Sequence, residues 1–548
     1  MERSAALEQL NARREPWDLV IIGGGATGLG IAVDAATRGY ATLLLERGDF
    51  AHATSSRSTK LLHGGVRYLR QGNLKLVMGA LRERSRVIAN APHLSNDQPF
   101  VIPTFRRGES LYYALGLGLY DRLAGRASLG RSRRLSAAQA RAELPTLRPE
   151  RLRGGVLYHD GQFDDARLAV TLARTAWSHG ATVLNYCRVE ALVHGGSEGR
   201  VNGVVARDLE SDRQYEIPAR AVINATGVFC DSVRRMAEPE APALVAPSQG
   251  SHLVLDRRFL PGRNALMVPR TDDGRVLFAI PWHERVLVGT TDVAVPEPDA
   301  EPRPRPREID FLLQHVGRYL RETPRPQDVL SVFAGLRPLV RAGKGGRTSG
   351  LARDHLLRVE EGLVTITGGK WTTYREMAEQ TVDAAARSAG LPASPCRTAD
   401  LRLFGAPQDA VTAALLAYPL RVYGTQAPAL QALAAQHAEW AEPLHPRLPY
   451  LAGEVVWAAR HEMARSVEDV LARRTRALLL DARASIEAAP RVARLLAREL
   501  RRDAAWQARQ VAAYTELALD HLTPEALALD FPQSGDARAH VRHRSGDS

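Results

Sequence analysis

The stretch Trp17–Gly28, WDLVIIGGGATG, decides the fold of this chain. Leu19, Val20, Ile21 and Ile22 form a continuous apolar run, as in a strand buried on both faces. Glycines follow at Gly23, Gly25 and Gly28, and a small-residue helix is expected over Leu29–Arg38. A second apolar run, Ala41–Leu45, ends at Glu46. Strand, Gly-x-Gly-x-x-Gly turn, helix, strand and acid in this order make a dinucleotide-binding βαβ unit. Gly23 is expected to form the tight turn, Gly25 to admit a pyrophosphate against the backbone, and Gly28 to let helix and strand close together. The helix N-terminus offers N–H groups to phosphate, and Glu46 can bond a ribose hydroxyl.

With 548 residues, 45% of them hydrophobic, the chain can bury two or three domain cores. The net charge of +12 permits nucleic acid, an anionic membrane or an anionic substrate as partner, and charge alone does not choose. The three cysteines, Cys187, Cys230 and Cys396, form no CxxC and no zinc spacing, so a reducing cytosolic compartment fits and no metal is expected. The opening MERSAALEQLNARREP lacks the apolar core of a signal peptide. No apolar run reaches the ~18 residues of a spanning helix.

After Glu46 the chain passes through a hydroxyl-rich loop, Thr54–Lys60, and then Leu61-Leu62-His63-Gly64-Gly65-Val66-Arg67-Tyr68-Leu69. Hydroxyls, a lysine and two glycines suit a loop lying on phosphate and a planar ring. Leu74–Asn90 has helical spacing. Leu111–Tyr120, LYYALGLGLY, is flanked by Arg106, Arg107, Arg122, Arg126, Arg131, Arg133 and Arg134. It is too short to span a bilayer, and it reads equally as a helix lying on one or as a buried helix. Val201–Val205 and Gln214–Ile217 read as a hairpin, and Ala221–Gly227 as a buried strand closing on Ala-Thr-Gly. Residues 248–292 are β-rich, Glu297–Arg307 is a proline-rich connector, and Leu363–Thr367 delivers Gly368-Gly369-Lys370 to a helix over Tyr374–Ala389. That turn makes a second dipole site, suited to the electron-rich end of a flavin ring. From about Ala393 the composition turns Ala/Leu/Arg-rich and helical, and the residues after Pro532 read as a loose tail.

One fingerprint and no CxxC mean that, if the dinucleotide is FAD, electrons come directly from an organic substrate. A nicotinamide cofactor stays open on the fingerprint alone; the hydroxyl loop and the Gly-Gly-Lys turn favour FAD. Arg67, Arg337, Arg353 and Lys370 stand beside strand ends or glycine turns. Each alone reads as a solvated charge; four together point to an anionic substrate. His252 is a histidine in a strand beside a glycine, a position that is usually structural.

The fingerprint, TSSRSTKLLHGGVRYL (54–69), PSQGSHLVL (247–255), IPWHERVLVGTTD (280–292), SVFAGLRPL (331–339) and TGGKWTTYR (367–375) resemble the FAD-dependent glycerol-3-phosphate dehydrogenases. That respiratory family is similar in fold to D-amino-acid oxidase and glycine oxidase. The resemblance continues weakly over Leu451–Asp481, in ARHEMARSVEDVLARRTRALLLD. Calcium loops of the D-x-D-x-D-G type are missing, so the chain is similar to the bacterial form. The resemblance implies that Gly23, Gly25, Gly28 and Glu46 hold the ADP half of FAD. Ser55, Ser58, Thr59, Lys60, His63, Gly64 and Gly65 would line pyrophosphate and flavin, with Thr226 and Gly227 beneath and Gly369, Lys370 and Thr372 over the ring. Arg67, Tyr68, His252, Arg337, Arg353 and Lys370 would form the substrate site. His252 would act as base, Arg337 would steady the developing alkoxide, and Arg353 and Lys370 would clamp the phosphate. The reaction implied is oxidation of sn-glycerol 3-phosphate to dihydroxyacetone phosphate, with electrons passed to a quinone at the inner face of the cell membrane.

The expected fold is α/β: a discontinuous Rossmann-like FAD-binding domain (16–90, 158–238 and 332–392), an inserted β-rich substrate domain (91–157 and 239–331), and a C-terminal helical domain (393–530) before a tail (531–548). The chain is expected to be a peripheral membrane protein on the cytoplasmic side; a homodimer is compatible with the sequence. An amine or amino-acid oxidase on the same fold would want one carboxylate-binding arginine, not a cation cluster. A nucleic-acid-binding flavoprotein would want an aromatic-interleaved basic stripe, which the sequence lacks, so no nucleic acid is expected.

Overall fold

The computed structural model describes residues 1–65, 73–195, 199–341, 355–408 and 418–530. Trp17–Ile22 is a strand, and it lies at the centre of a parallel sheet in the order Leu363–Gly368, Gln214–Asn224, Trp17–Ile22, Thr42–Leu45, Thr182–Leu184. Trp17–Ile22, Thr42–Leu45 and the end of the neighbouring strand, Ala221–Asn224, are nearly all buried, which is why these stretches read as apolar runs. The helix after the fingerprint, Ala26–Thr37, packs against the helices Asp165–Ser178 and Tyr374–Ser388. Gly30 makes the second contact possible, because a Cβ there would lie 2.8 Å from the Tyr374 ring.

The strands of this sheet come from widely separated parts of the chain. Between them the chain builds a second sheet, of ten strands among the described residues. Its long antiparallel pair is Val245–Asp256 with Val329–Val340, in a register that sets His252 opposite Phe333 and Ser248 opposite Arg337. The expected hairpin is present, but its second strand, Gln214–Asn224, does not stop. Its first half pairs antiparallel with Arg200–Asp208 and its second half parallel with Trp17–Ile22. Alternating polarity at Gln214–Ala219 gives way to full burial at Ala221–Asn224 as the strand enters the core.

The opening residues form a helix, Arg3–Ala12, tied down by Arg3, which is buried and bonds Asp208 at 2.5 Å and the Asn185 carbonyl. Leu111–Tyr120 lies within the helix Glu109–Ala124, whose faces differ: Leu117 and Tyr120 are buried, Leu111, Tyr112, Leu115 and Leu119 exposed.

The helices after residue 418 share one apolar core with the parallel sheet. Buried ion pairs cross the same boundary. Arg167 makes a two-pronged pair with Glu462 at 2.7 and 2.8 Å, and Asp49 accepts from Arg473 and Arg474 at 2.6 Å each. Burial alone would raise the Glu462 carboxyl; the charge of Arg167 and its hydrogen bonds outweigh burial and hold it at about 2. A depressed carboxylate contributes stability above its unfolded value near 4.3 and loses it as pH falls through the folded value. The melting temperature should therefore fall as pH drops from about 5 to about 2, with Glu462 accounting for on the order of 3 kcal/mol. Glu462→Gln should cost about 3–5 kcal/mol at neutral pH, by stranding a buried arginine, and should flatten that acid dependence; calorimetry across pH checks both.

Candidate active site

The C-terminal ends of the parallel strands open into a cleft in two connected halves. The first half, a cavity of about 330 Å³, is lined by Gly23, Gly25, Glu46, Ser55, Thr226 and Gly227. The second, about 350 Å³, is lined by Ser58, Thr59, His63, Gly65, His252, Arg337 and Thr372. Thr54, Pro338, Gly369, Lys370 and Trp371 line both, so the halves form one elongated site. Its length and its placement beside the fingerprint fit a dinucleotide in the first half with a ring system reaching into the second.

The fingerprint glycines explain themselves at the atomic level. Gly23 sits at φ +111, a turn that favours glycine. A Cβ on Gly28 would lie 1.9 Å from the Gly23 carbonyl oxygen, so helix and turn touch where no side chain fits. Gly25 caps the helix N-terminally, and a Cβ there would meet only the Ser55 hydroxyl, at 3.1 Å, on the cleft side. The Glu46 carboxylate accepts N–H bonds from Gly24 at 2.6 Å and Gly48 at 2.8 Å, which pins it at the rim of the first half.

In the second half, the imidazole of His252 is buried, stacks on Phe333 with ring centres 4.8 Å apart, and has Nε2 2.9 Å from the Thr59 hydroxyl oxygen. Burial, then the charges of Lys60 and Arg337, hold it well below the ordinary imidazole value, so it is neutral at physiological pH. Arg337 crosses over Gly250, where a Cβ would clash at 2.2 Å, and donates to the Thr290 hydroxyl and the Thr291 carbonyl at 3.0 Å. Lys370 follows Gly368 and Gly369, at φ +82 and +72, which turn the strand end over both halves.

Not every expected residue faces the cleft. Lys60 is fully buried: its ammonium donates to Asp165 at 2.6 Å and to the Ser56 carbonyl at 2.7 Å, beneath the loop. Gly64 points the other way too, its N–H donated to the Tyr120 hydroxyl at 2.9 Å and its Cβ position filled by Leu81. Arg67, Tyr68 and Arg353 lie outside the described residues. Four charged groups not singled out in the sequence line the second half: Arg57, Asp160, Arg275 and Asp292. Asp292 ends the quoted run IPWHERVLVGTTD, but nothing local marks it. It matters through its neighbours, Ser248, Arg275 at 3.7 Å and Arg337 at 3.4 Å.

Residues 18–384 match the DAO family of FAD-dependent oxidoreductases, and residues 364–507 match the C-terminal domain of alpha-glycerophosphate oxidase. The mitochondrial glycerol-3-phosphate dehydrogenase of Arabidopsis thaliana is 41% identical, over 91% of this chain and 85% of its own length. The human mitochondrial glycerol-3-phosphate dehydrogenase is 39% identical, over 91% of this chain and 73% of its own. The crystal structure of the glycerol-3-phosphate dehydrogenase from Bacillus halodurans, complexed with FAD, is 31% identical with a TM-score of 0.77, covering 95% of this chain and 98% of that one. The chain belongs to the FAD-dependent glycerol-3-phosphate dehydrogenases of the DAO family.

Proposed function

We propose that this chain oxidises sn-glycerol 3-phosphate to dihydroxyacetone phosphate on FAD and passes the electrons to a membrane quinone. The observation that carries the reaction is the two-part cleft, with a glycine cradle at one end and His252, Arg337 and Lys370 at the other. The cradle fits FAD because Gly25, at the start of the helix Ala26–Thr37, puts no side chain into the first half of the cleft, and Ser55, which accepts the Ala26 N–H at 2.9 Å, lines the same half where a pyrophosphate would rest. When bound, FAD supplies the two-electron acceptor; the chain supplies orientation and charge. In this reading Arg337 and Lys370 attract the phosphate and steady the substrate oxygen. Neutral His252, oriented by the Thr59 hydroxyl, takes the proton of the secondary hydroxyl. Arg67, Tyr68 and Arg353 are proposed to complete the anionic subsite.

A phosphate held by charge-assisted bonds should be worth about 1.5–3 kcal/mol per cation. Lys370→Ala and Arg337→Ala should each raise the Michaelis constant about tenfold or more, and glycerol should be a very poor substrate. Steady-state kinetics with a soluble dye acceptor tests this. Equal rates with glycerol, or preference for an amino acid, would favour the oxidase reading.

Among the described residues, no helix is long and apolar enough to cross a membrane. A quinone-linked enzyme must then meet the bilayer from its surface. The exposed face of Glu109–Ala124 supports that docking: Leu115 is 68% exposed and Tyr112 60%, and Met78 of the adjacent helix Leu74–Asn90 is 52% exposed. Arg106, Arg107, Arg122, Arg131 and Arg134 are exposed nearby, each worth about 1 kcal/mol beside an anionic surface at low salt. Leu115→Glu with Leu119→Glu should release the protein from anionic vesicles in a sedimentation assay while dye-coupled activity persists. Leu117, being buried, is the wrong position for that test. Undiminished vesicle binding by the double variant would place docking elsewhere.

A further inference from the structure

The run Ala472-Arg473-Arg474-Thr475-Arg476 belongs to the helical region, hundreds of residues from the fingerprint, yet its arginines reach both loops that line the cleft. Arg473 and Arg474 bond Asp49, three residues past Glu46. Arg476 donates to Asp165 Oδ1 at 3.0 Å and to the Ser56 carbonyl at 2.9 Å. All three side chains are buried.

Asp165 is the junction of this arrangement. Its Oδ2 accepts the Ser58 N–H at 3.1 Å, the Ser58 hydroxyl at 2.7 Å and the Lys60 ammonium at 2.6 Å. Its Oδ1 accepts the Ala166 N–H at 2.9 Å besides Arg476. The loop Ser55–Thr59 has little regular structure, a single tight turn over Thr54–Ser56 followed by Lys60 at φ +62. Its upper side carries Ser55, Ser58 and Thr59 into the cleft, and Thr59 touches His252. Its lower side rests on one carboxylate held between two buried cations. Such a buried cluster is a costly way to gain stability, and a carboxylate fixed from two directions is an effective way to fix what hydrogen-bonds to it.

We propose that Arg476 is a positioning residue of the cleft: by holding Asp165 and the Ser56 carbonyl it fixes Ser58 and Thr59, and thereby sets FAD retention and the placement of His252. This rests on the FAD and glycerol 3-phosphate reading above. The helical region thus serves the reaction as well as the fold.

The test compares holoenzymes of the wild type, Arg476→Met, Arg476→Lys and Ser58→Ala. Arg460→Gln, which breaks a pair with Glu499 and a cation contact over the Trp440 ring, none of these residues lining the cleft, is the control. Released FAD is measured by fluorescence after dilution, thermal midpoints are recorded, and anaerobic flavin reduction is followed against glycerol 3-phosphate concentration. Arg476→Met is expected to weaken FAD retention and to lower the limiting reduction rate by about tenfold or more each, with substrate affinity changed far less. Arg476→Lys should recover part of both. Ser58→Ala, which removes one hydrogen bond to Asp165, should move both in the same direction by about threefold. An Arg476→Met protein with a lowered thermal midpoint but wild-type FAD retention and limiting rate overturns the proposal. If that variant does not fold, wild-type values for Ser58→Ala overturn it. A wild type that takes up no FAD sinks the functional reading itself and this inference with it; a yellow, reducible wild type with an indifferent Arg476→Met sinks the inference alone.

Discussion

Gly28→Ala should give a colourless protein. The added methyl carbon would sit 1.9 Å from the Gly23 carbonyl oxygen and 3.1 Å from its carbon, and both are backbone atoms with no rotamer to yield. The helix Ala26–Thr37 would have to lift from the turn, at a cost of about 1–3 kcal/mol or more. Lifting it also moves the N–H groups that face a pyrophosphate. FAD binding and activity should therefore both be lost, with a lowered melting temperature. Gly25→Val should separate the two effects. Its Cβ meets only the Ser55 hydroxyl, so the fold should hold while the branched side chain fills the space a pyrophosphate needs. FAD content by absorbance and the thermal midpoint distinguish the variants. A stoichiometrically yellow Gly28→Ala protein would mean that the cradle is not the cofactor site.

His252→Ala should retain FAD and lose turnover by roughly 10²–10⁴, the range of a general base. The wild-type pH profile carries a sign that follows from the environment. Burial, Lys60 and Arg337 all disfavour the imidazolium, so the acid limb should lie well below pH 6.5. A His252→Ala enzyme that turns over normally would make His252 a packing residue against Phe333 and Gly289. An acid limb above pH 6.5 would assign the base elsewhere.

What the sequence made legible, and what it did not, divides along the range of the interactions. The fingerprint was readable because each glycine answers a local need, a turn at Gly23 and a helix contact at Gly28. The Gly368-Gly369-Lys370 turn was readable for the same reason. The family resemblance supplied the pairing of His252 with the arginines, which spacing alone left open. Lys60 was misread because a lysine in a hydroxyl-rich loop looks like a phosphate ligand. Its partner, Asp165, is 105 positions away and turns it beneath the loop. The two faces of LYYALGLGLY were not separable in the sequence because it is apolar on all sides, so periodicity could not tell buried Leu117 from exposed Leu115 and Leu119. Arg476 was invisible as a cleft residue, since only the packing of the helical region on the flavin fold brings it to Ser56. Buried ion pairs across distant segments leave no periodic trace in a sequence.

The central claim is that glycerol 3-phosphate gives its electrons directly to FAD held in this cleft. The most direct measurement is anaerobic titration of the purified, FAD-loaded protein with sn-glycerol 3-phosphate, watching the yellow flavin absorbance and assaying dihydroxyacetone phosphate. The account predicts bleaching with one product formed per FAD reduced, no bleaching with glycerol, and none with NAD alone. Flavin that stays oxidised with glycerol 3-phosphate yet bleaches with an amino acid would contradict it.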